Sequence, residues 1–192
     1  MKIVIQIILS FLLILSCNKK TTESAKNPKP ILIKIGYYPS FHTVAETILN
    51  LTDKYVIFYS PTSYHPAPPP PSGTNMKMTT EEKNDNQKYL KETPKLKYFK
   101  NNLNTAEIKD LEKISIGFNS EDFSERNMIP PYDGMSINII ILYSDGKLVQ
   151  INPDNAPTEK QREYYSKILD LLILKNTDKN NSIILQKIKN YD

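Results

Sequence analysis

Short apolar runs with strand-like spacing dominate the first two thirds of this chain, and helical spacing takes over toward its end. Ile31-Leu-Ile-Lys-Ile35, followed by Gly-Tyr-Tyr-Pro, predicts a strand ending near Pro39. Glu46 to Thr52 and Tyr55 to Ser60 predict a hairpin about Asp53-Lys54, with Leu49 opposite Phe58 and Leu51 opposite Val56 on one apolar face. Asn50 and Thr52 then face the other way, and a three- or four-residue loop would shift this register. Leu96 to Phe99 reads as a further strand. Asn104-Thr-Ala-Glu107 matches a helix start, and Ile108, Leu111 and Ile114 recur on one helical face. Ile116-Gly-Phe118 either extends this helix or forms a brief strand, and the polar run through Arg126 to Pro130-Pro131 reads as loop.

Met135 to Tyr143 and Leu148 to Ile151 flank Ser-Asp-Gly-Lys, where Asp145-Gly146 predicts a two-residue type I′ hairpin turn. That register sets Leu142 opposite Val149 and Ile140 opposite Ile151, with Ile139, Ile141, Tyr143 and Leu148 on the other face. Thr158-Glu-Lys-Gln161 has capping-box spacing, and Tyr164, Tyr165, Ile168, Leu169, Leu171 and Leu172 form a wide apolar stripe. A second amphipathic stretch, Ile183 to Ile188, follows the polar break Asn176 to Asn181. The pattern predicts an α+β fold: an antiparallel meander of about five strands with C-terminal helices packed on one face.

Two segments interrupt this pattern. Asn18 to Pro30 contains no large apolar side chain, so burial cannot offset its ordering entropy and it reads as a flexible tether with a reach of about 20 Å. Pro61 to Pro94 holds half of the fourteen prolines, and Pro68 to Pro71 favours an extended polyproline II conformation. Within it Thr79-Thr-Glu-Glu82 has capping-box spacing and predicts a short polar helix running toward Tyr89 and Leu90. An insertion of this length is either mobile or a binding loop. Without tether and insertion about 130 residues remain, the size of one domain with one core.

At the N-terminus Lys2 precedes an apolar run from Ile3 to Leu15 broken only by Gln6 and Ser10, and Ser16 precedes Cys17, the sole cysteine. Such a run rises only about 20 Å as a helix, short of the roughly 30 Å membrane core. Ile14-Leu15-Ser16-Cys17 resembles the lipobox of bacterial lipoproteins, with Ile14 where leucine is commoner. The resemblance covers the leader alone. It implies that residues 1–16 are a signal peptide cut before Cys17, that the Cys17 thiol receives a diacylglyceryl group, and that residues 17–30 tether a single α+β domain, 31–192, with its insertion at 61–94. The partner implied is membrane lipid, and the place a bacterial cell envelope. Several acyl chains give stable anchoring, since each buried methylene contributes about 0.8 kcal/mol.

Composition narrows the partners. The mature chain is nearly neutral, and of its basic residues only Arg126 and Arg162 carry the forked guanidinium suited to phosphates. With the export signal, this argues against a nucleic-acid partner. A lone cysteine offers no intramolecular disulfide, so the core must stabilise the domain.

The residues show no catalytic, cofactor or metal constellation. His42 and Glu46 are four apart, but a zinc site needs a further ligand that the two histidines and one cysteine do not supply, and two polar side chains facing solvent are the simpler account. His65 sits in the proline run. There is no Gly-x-Ser-x-Gly elbow, Ser144 to Lys147 falls on a hairpin turn, and five glycines form no phosphate-cradling loop. Asp133 beside Tyr132, or Glu121 and Glu125, have acid–base chemistry without a sequence-level pairing, while Asp53, Asp145 and Asp154 read as turn residues. Twelve tyrosines admit two readings: Tyr37, Tyr38, Tyr59 and Tyr64 line a recognition edge, or they are ordinary edge packing.

The leading expectation is a lipid-anchored, non-enzymatic module that binds an envelope protein or a surface polymer. An immunity or inhibitor lipoprotein is a narrower form of it. A hydrolase using loop carboxylates such as Asp133 and Glu121 and an assembly factor of an outer-membrane complex are the alternatives.

Overall fold

The computed structural model describes residues 28–40, 42–61, 78–116, 118, 122, 134–153 and 157–191. Residues 1–27, Cys17 among them, and residues 62–77 lie outside them.

The fold is α+β, as the pattern predicts. Six strands stand where about five were expected: β1 (Pro30–Pro39), β2 (Ala45–Asn50), β3 (Tyr55–Tyr59), β4 (Phe99–Asn102), β5 (Met135–Tyr143) and β6 (Leu148–Ile151). All pairs are antiparallel, in the order β4-β3-β2-β1-β5-β6. The first four strands form a meander, and the β5–β6 hairpin is added on the free side of β1. Four helices accompany the sheet: α1 (Thr80–Glu92), α2 (Thr105–Ile116), α3 (Glu159–Lys175) and α4 (Lys179–Lys189).

Three helices start where a side chain and a backbone N–H three residues apart satisfy each other. At α3 the Gln161 amide N–H donates to Thr158 Oγ1 at 3.1 Å and the Thr158 N–H donates to Gln161 Oε1 at 2.9 Å. Asn104 with Glu107, and Thr79 with Glu82, make the same reciprocal bonds at α2 and α1. The helix expected inside the insertion is thus present, and α2 runs through Ile116, where a brief strand was the alternative.

Both predicted hairpins form, and neither keeps its predicted register. Between β2 and β3 Leu49 pairs with Val56 and Thr47 with Phe58, a shift of two positions. The reason is a four-residue turn. Asn50 Oδ1 accepts from the Asp53 N–H at 2.8 Å, and Lys54 takes a positive φ of 58° that closes it. Because side chains alternate with period two, a shift of two leaves Leu49, Val56 and Phe58 on the same buried face.

Between β5 and β6 the shift is one residue, and the faces exchange: Ile141 pairs with Val149 and Ile139 with Ile151. The connection is three residues long. The Gly146 N–H donates to the Tyr143 carbonyl at 3.0 Å, and Gly146 at φ 85° lets the Tyr143 N–H reach the Lys147 carbonyl at 2.9 Å. This is a type I turn closed by a left-handed glycine, the common three-residue alternative to the two-residue turn. Ile139, Ile141, Tyr143, Val149 and Ile151 are consequently buried together, while Leu148 is left 60% exposed.

The expected Leu96–Phe99 strand begins three residues later, as β4. Lys97 has its backbone taken by α4: its N–H donates to Asn181 Oδ1 at 2.9 Å and its carbonyl accepts from Asn181 Nδ2 at 2.8 Å.

The core lies between one sheet face and the helices. Ile33, Ile35, Tyr37, Leu49, Val56, Phe58, Ile139 and Ile141 meet Tyr164, Tyr165, Ile168, Leu169 and Leu172 of α3 and Ile184, Leu185 and Ile188 of α4. Burying each large aliphatic side chain contributes about 1.5–3 kcal/mol. Core tyrosines keep their hydroxyls bonded: Tyr37 donates to the Tyr165 carbonyl at 3.2 Å, Tyr143 to the Ser115 carbonyl at 2.9 Å, and Tyr164 lies 3.0 Å from Ser115 Oγ. Burial raises the Tyr143 and Tyr164 phenol pKa values above the ordinary one, so these bonds are made by neutral hydroxyls.

Candidate functional site on the sheet face opposite the core

Among the described residues, the helices α2, α3 and α4 contribute to the core side of the sheet. The alternate residues of the strands make up the other face, and the pairings arrange them in rows. One row reads Asn102–Tyr55–Asn50–Leu32–Leu142–Leu148 and the next Lys100–Ile57–Ile48–Lys34–Ile140–Gln150. A third carries Tyr59, Glu46, Gly36 and Asn138, with Tyr38 beyond Gly36. Most of the aliphatic members are half-buried, as suits an apolar strip beside a polar margin.

Glu46 is the one carboxylate in these rows and is buried at 5% exposure. Tyr38 donates to its Oε1 at 2.6 Å, Tyr59 to its Oε2 at 2.5 Å, and the Lys34 ammonium lies 2.9 Å from Oε2. β2 supplies the acid, β1 the lysine and Tyr38, and β3 supplies Tyr59. Gly36 makes the arrangement fit: a Cβ there would lie 2.4–2.6 Å from the phenol end of Tyr38, which occupies the space of the missing side chain.

The four groups set one another's protonation. Burial opposes the Glu46 charge, but the two phenol bonds and Lys34 outweigh it and hold the carboxyl below its ordinary pKa. Burial and the bond to Glu46 push both Tyr38 and Tyr59 up. The hydrogen bond to Glu46, against some desolvation, raises Lys34. At neutral pH the cluster is therefore carboxylate, ammonium and two neutral phenols. A carboxylate held ionised in this way is a poor general acid, and its oxygens are already engaged. The arrangement fixes two rings and a cation on a surface.

The sequence-level candidates disperse. Glu46 faces away from His42, which instead packs edge-on against Tyr191 with ring centroids 5.6 Å apart. Tyr37 is in the core, whereas Tyr38 and Tyr59 meet at Glu46. Among the described residues no cluster of histidine, cysteine or carboxylate side chains is placed to hold a metal. His65, Tyr64, Glu121, Glu125, Tyr132, Asp133 and Asp154 lie outside the described residues. Asp53 and Asp145 are turn residues, as expected, bonded to Asn50 and the Lys147 N–H. The Glu46 cluster is what sequence reasoning missed; its signal was a glycine two residues before a tyrosine in a strand that runs beside Glu46.

Clefts among the described residues include two on the helix side. One, of about 410 Å³, runs between α2 and α3 over Leu111, Ile114 and Leu171, and its Glu107 and Lys167 are paired to Lys175 and Glu163. The other, of about 240 Å³, lies by His42, Glu92 and Lys187.

Comparison with known proteins finds no matching family model, no matching curated protein and no matching solved structure. No helix among the described residues is long and apolar enough to cross a membrane.

Proposed function

We propose that this chain is a lipid-anchored module of a bacterial cell envelope, held by an acylated Cys17, that acts without catalysis by binding an envelope protein through the sheet face opposite its core. The observation that carries the reading is that face: an aliphatic strip bordered by Tyr38, Tyr55 and Tyr59, with its single acid neutralised from within. Interfaces combine an apolar centre, tyrosines and a polar rim in this manner. Lipidation supplies what such a module needs, since confinement to a surface raises the effective concentration of an envelope partner.

The test is photo-crosslinking in the native envelope from probes at Ile57 and Ile140 on the face and at Leu174, 76% exposed on α3. One dominant protein adduct from the face positions only is the expected result. Adducts only from Leu174, or none from the face, would remove the proposal. The aliphatic strip also favours a second reading, a stably assembled subunit. In that case the adducted partner copurifies without crosslinking.

A further inference from the structure

We infer that the sheet face opposite the core takes an amphipathic protein segment whose aliphatic side chains are flanked by carboxylates, an inference that rests on this face being the binding surface.

The charge on the face is asymmetric. The Glu46 side chain is 7% exposed and both its oxygens are engaged, whereas that of Lys34 is 34% exposed. An ammonium has three donors, so the bond to Glu46 does not exhaust Lys34. Lys100, at the β4 end of the same row, is exposed and stands 4.2 Å above the centre of the Tyr55 ring, which steadies it. Asp53 and Asp145 lie outside the rows, in turns at the strand ends. Within the rows the exposed charges are therefore two cations, and the one carboxylate is buried with both oxygens engaged.

Ile57 and Ile48 lie between those cations, and three strand spacings set Lys34 and Lys100 about 14 Å apart. Ile140, Leu32, Leu142 and Leu148 continue the apolar surface on the other side of Lys34. Six aliphatic side chains call for an apolar ligand surface, which a polyhydroxylated polymer does not offer. A second copy fits worse, because its own rows offer these lysines no exposed carboxylate.

The probe is a displayed library of random peptides selected against the full-length protein in detergent. Selected peptides are expected to combine aliphatic residues with Asp or Glu. Their affinity should fall about tenfold with Lys100→Glu and fall again as salt is raised. Ile57→Arg on the same face should abolish binding, with circular dichroism confirming that each variant stays folded. Peptides lost with Ile57→Arg but lacking acidic residues and indifferent to Lys100→Glu would overturn the inference while leaving the face as the binding surface. Peptides indifferent to Ile57→Arg as well, or no selected peptide, would overturn both. Sedimentation as a dimer that Leu148→Arg splits would assign the face to a second copy and overturn the acidic partner.

Discussion

Replacing Glu46 by alanine removes the acceptor of three bonds at once, and the structure allows the cost to be worked out. Hydrogen bonds to a charged group contribute about 1.5–3 kcal/mol each, but Tyr38 and Tyr59 are half-buried and recover part of this from water. About 1 kcal/mol per phenol remains. The Lys34 pair adds roughly 0–1 kcal/mol, because the lysine is a third exposed and screened. Glu46→Ala should therefore destabilise the chain beginning at Asn18 by about 2–3 kcal/mol. With a urea m-value of about 2 kcal/mol/M the unfolding midpoint falls by roughly 1–1.5 M. Glu46→Gln keeps one acceptor oxygen and loses the charge, so it should cost about half as much.

The sign of the pH dependence is also fixed. Folding lowers the Glu46 pKa, so its contribution is present above the unfolded carboxyl value and is lost as pH falls through the depressed folded value. The gap in stability between wild type and Glu46→Gln should close on acidification. The raised phenols and Lys34 act oppositely: their contribution is full below the unfolded values near 10 and fades as pH rises through the higher folded ones. A Glu46→Ala cost below about 0.5 kcal/mol, or a gap that widens in acid, would refute this account of the cluster.

Gly36→Ala should cost about 1–3 kcal/mol by driving Tyr38 off Glu46, and in a Tyr38→Ala background most of that cost should vanish, as a double-mutant cycle by urea unfolding reads directly. Leu172→Ala, at a fully buried position facing the sheet, should cost about 2–5 kcal/mol by thermal or urea unfolding. Cys17→Ser should abolish palmitate labelling in cells and slow removal of the leader; persistent label would dismiss the lipid anchor. Thr158→Ala should cost about 1 kcal/mol through the lost α3 cap, and Thr158→Asn should restore most of it.

What could be read from the residues was local. Capping boxes at Thr79, Asn104 and Thr158 depend on side chains three apart, and all three helices begin there. The apolar faces of α3 and α4 were legible for the same reason. Hairpin register was not, because turn length is decided by one side chain or one backbone angle: Asn50 holds four residues in one turn, and the positive φ of Gly146 closes three in the other. The first error kept every face and the second reversed them, which is why Leu148 is exposed on the face with Ile140 and Leu142. The Glu46 cluster depends on two such registers together with a missing Cβ on β1, and nothing within a few residues of Glu46 specifies it.

The central place of β1 bears on how the chain reaches its fold. Its pairing with β2 is available as soon as the first hairpin has been synthesised, but its other edge is matched to β5, about a hundred residues later in sequence. Until β5 arrives, that edge presents unpaired backbone groups beside Ile33 and Ile35, a template for joining other chains. The closing step of folding is thus the docking of β5 on the free edge of β1, and conditions that delay it should give aggregation before they give a measurable loss of native stability.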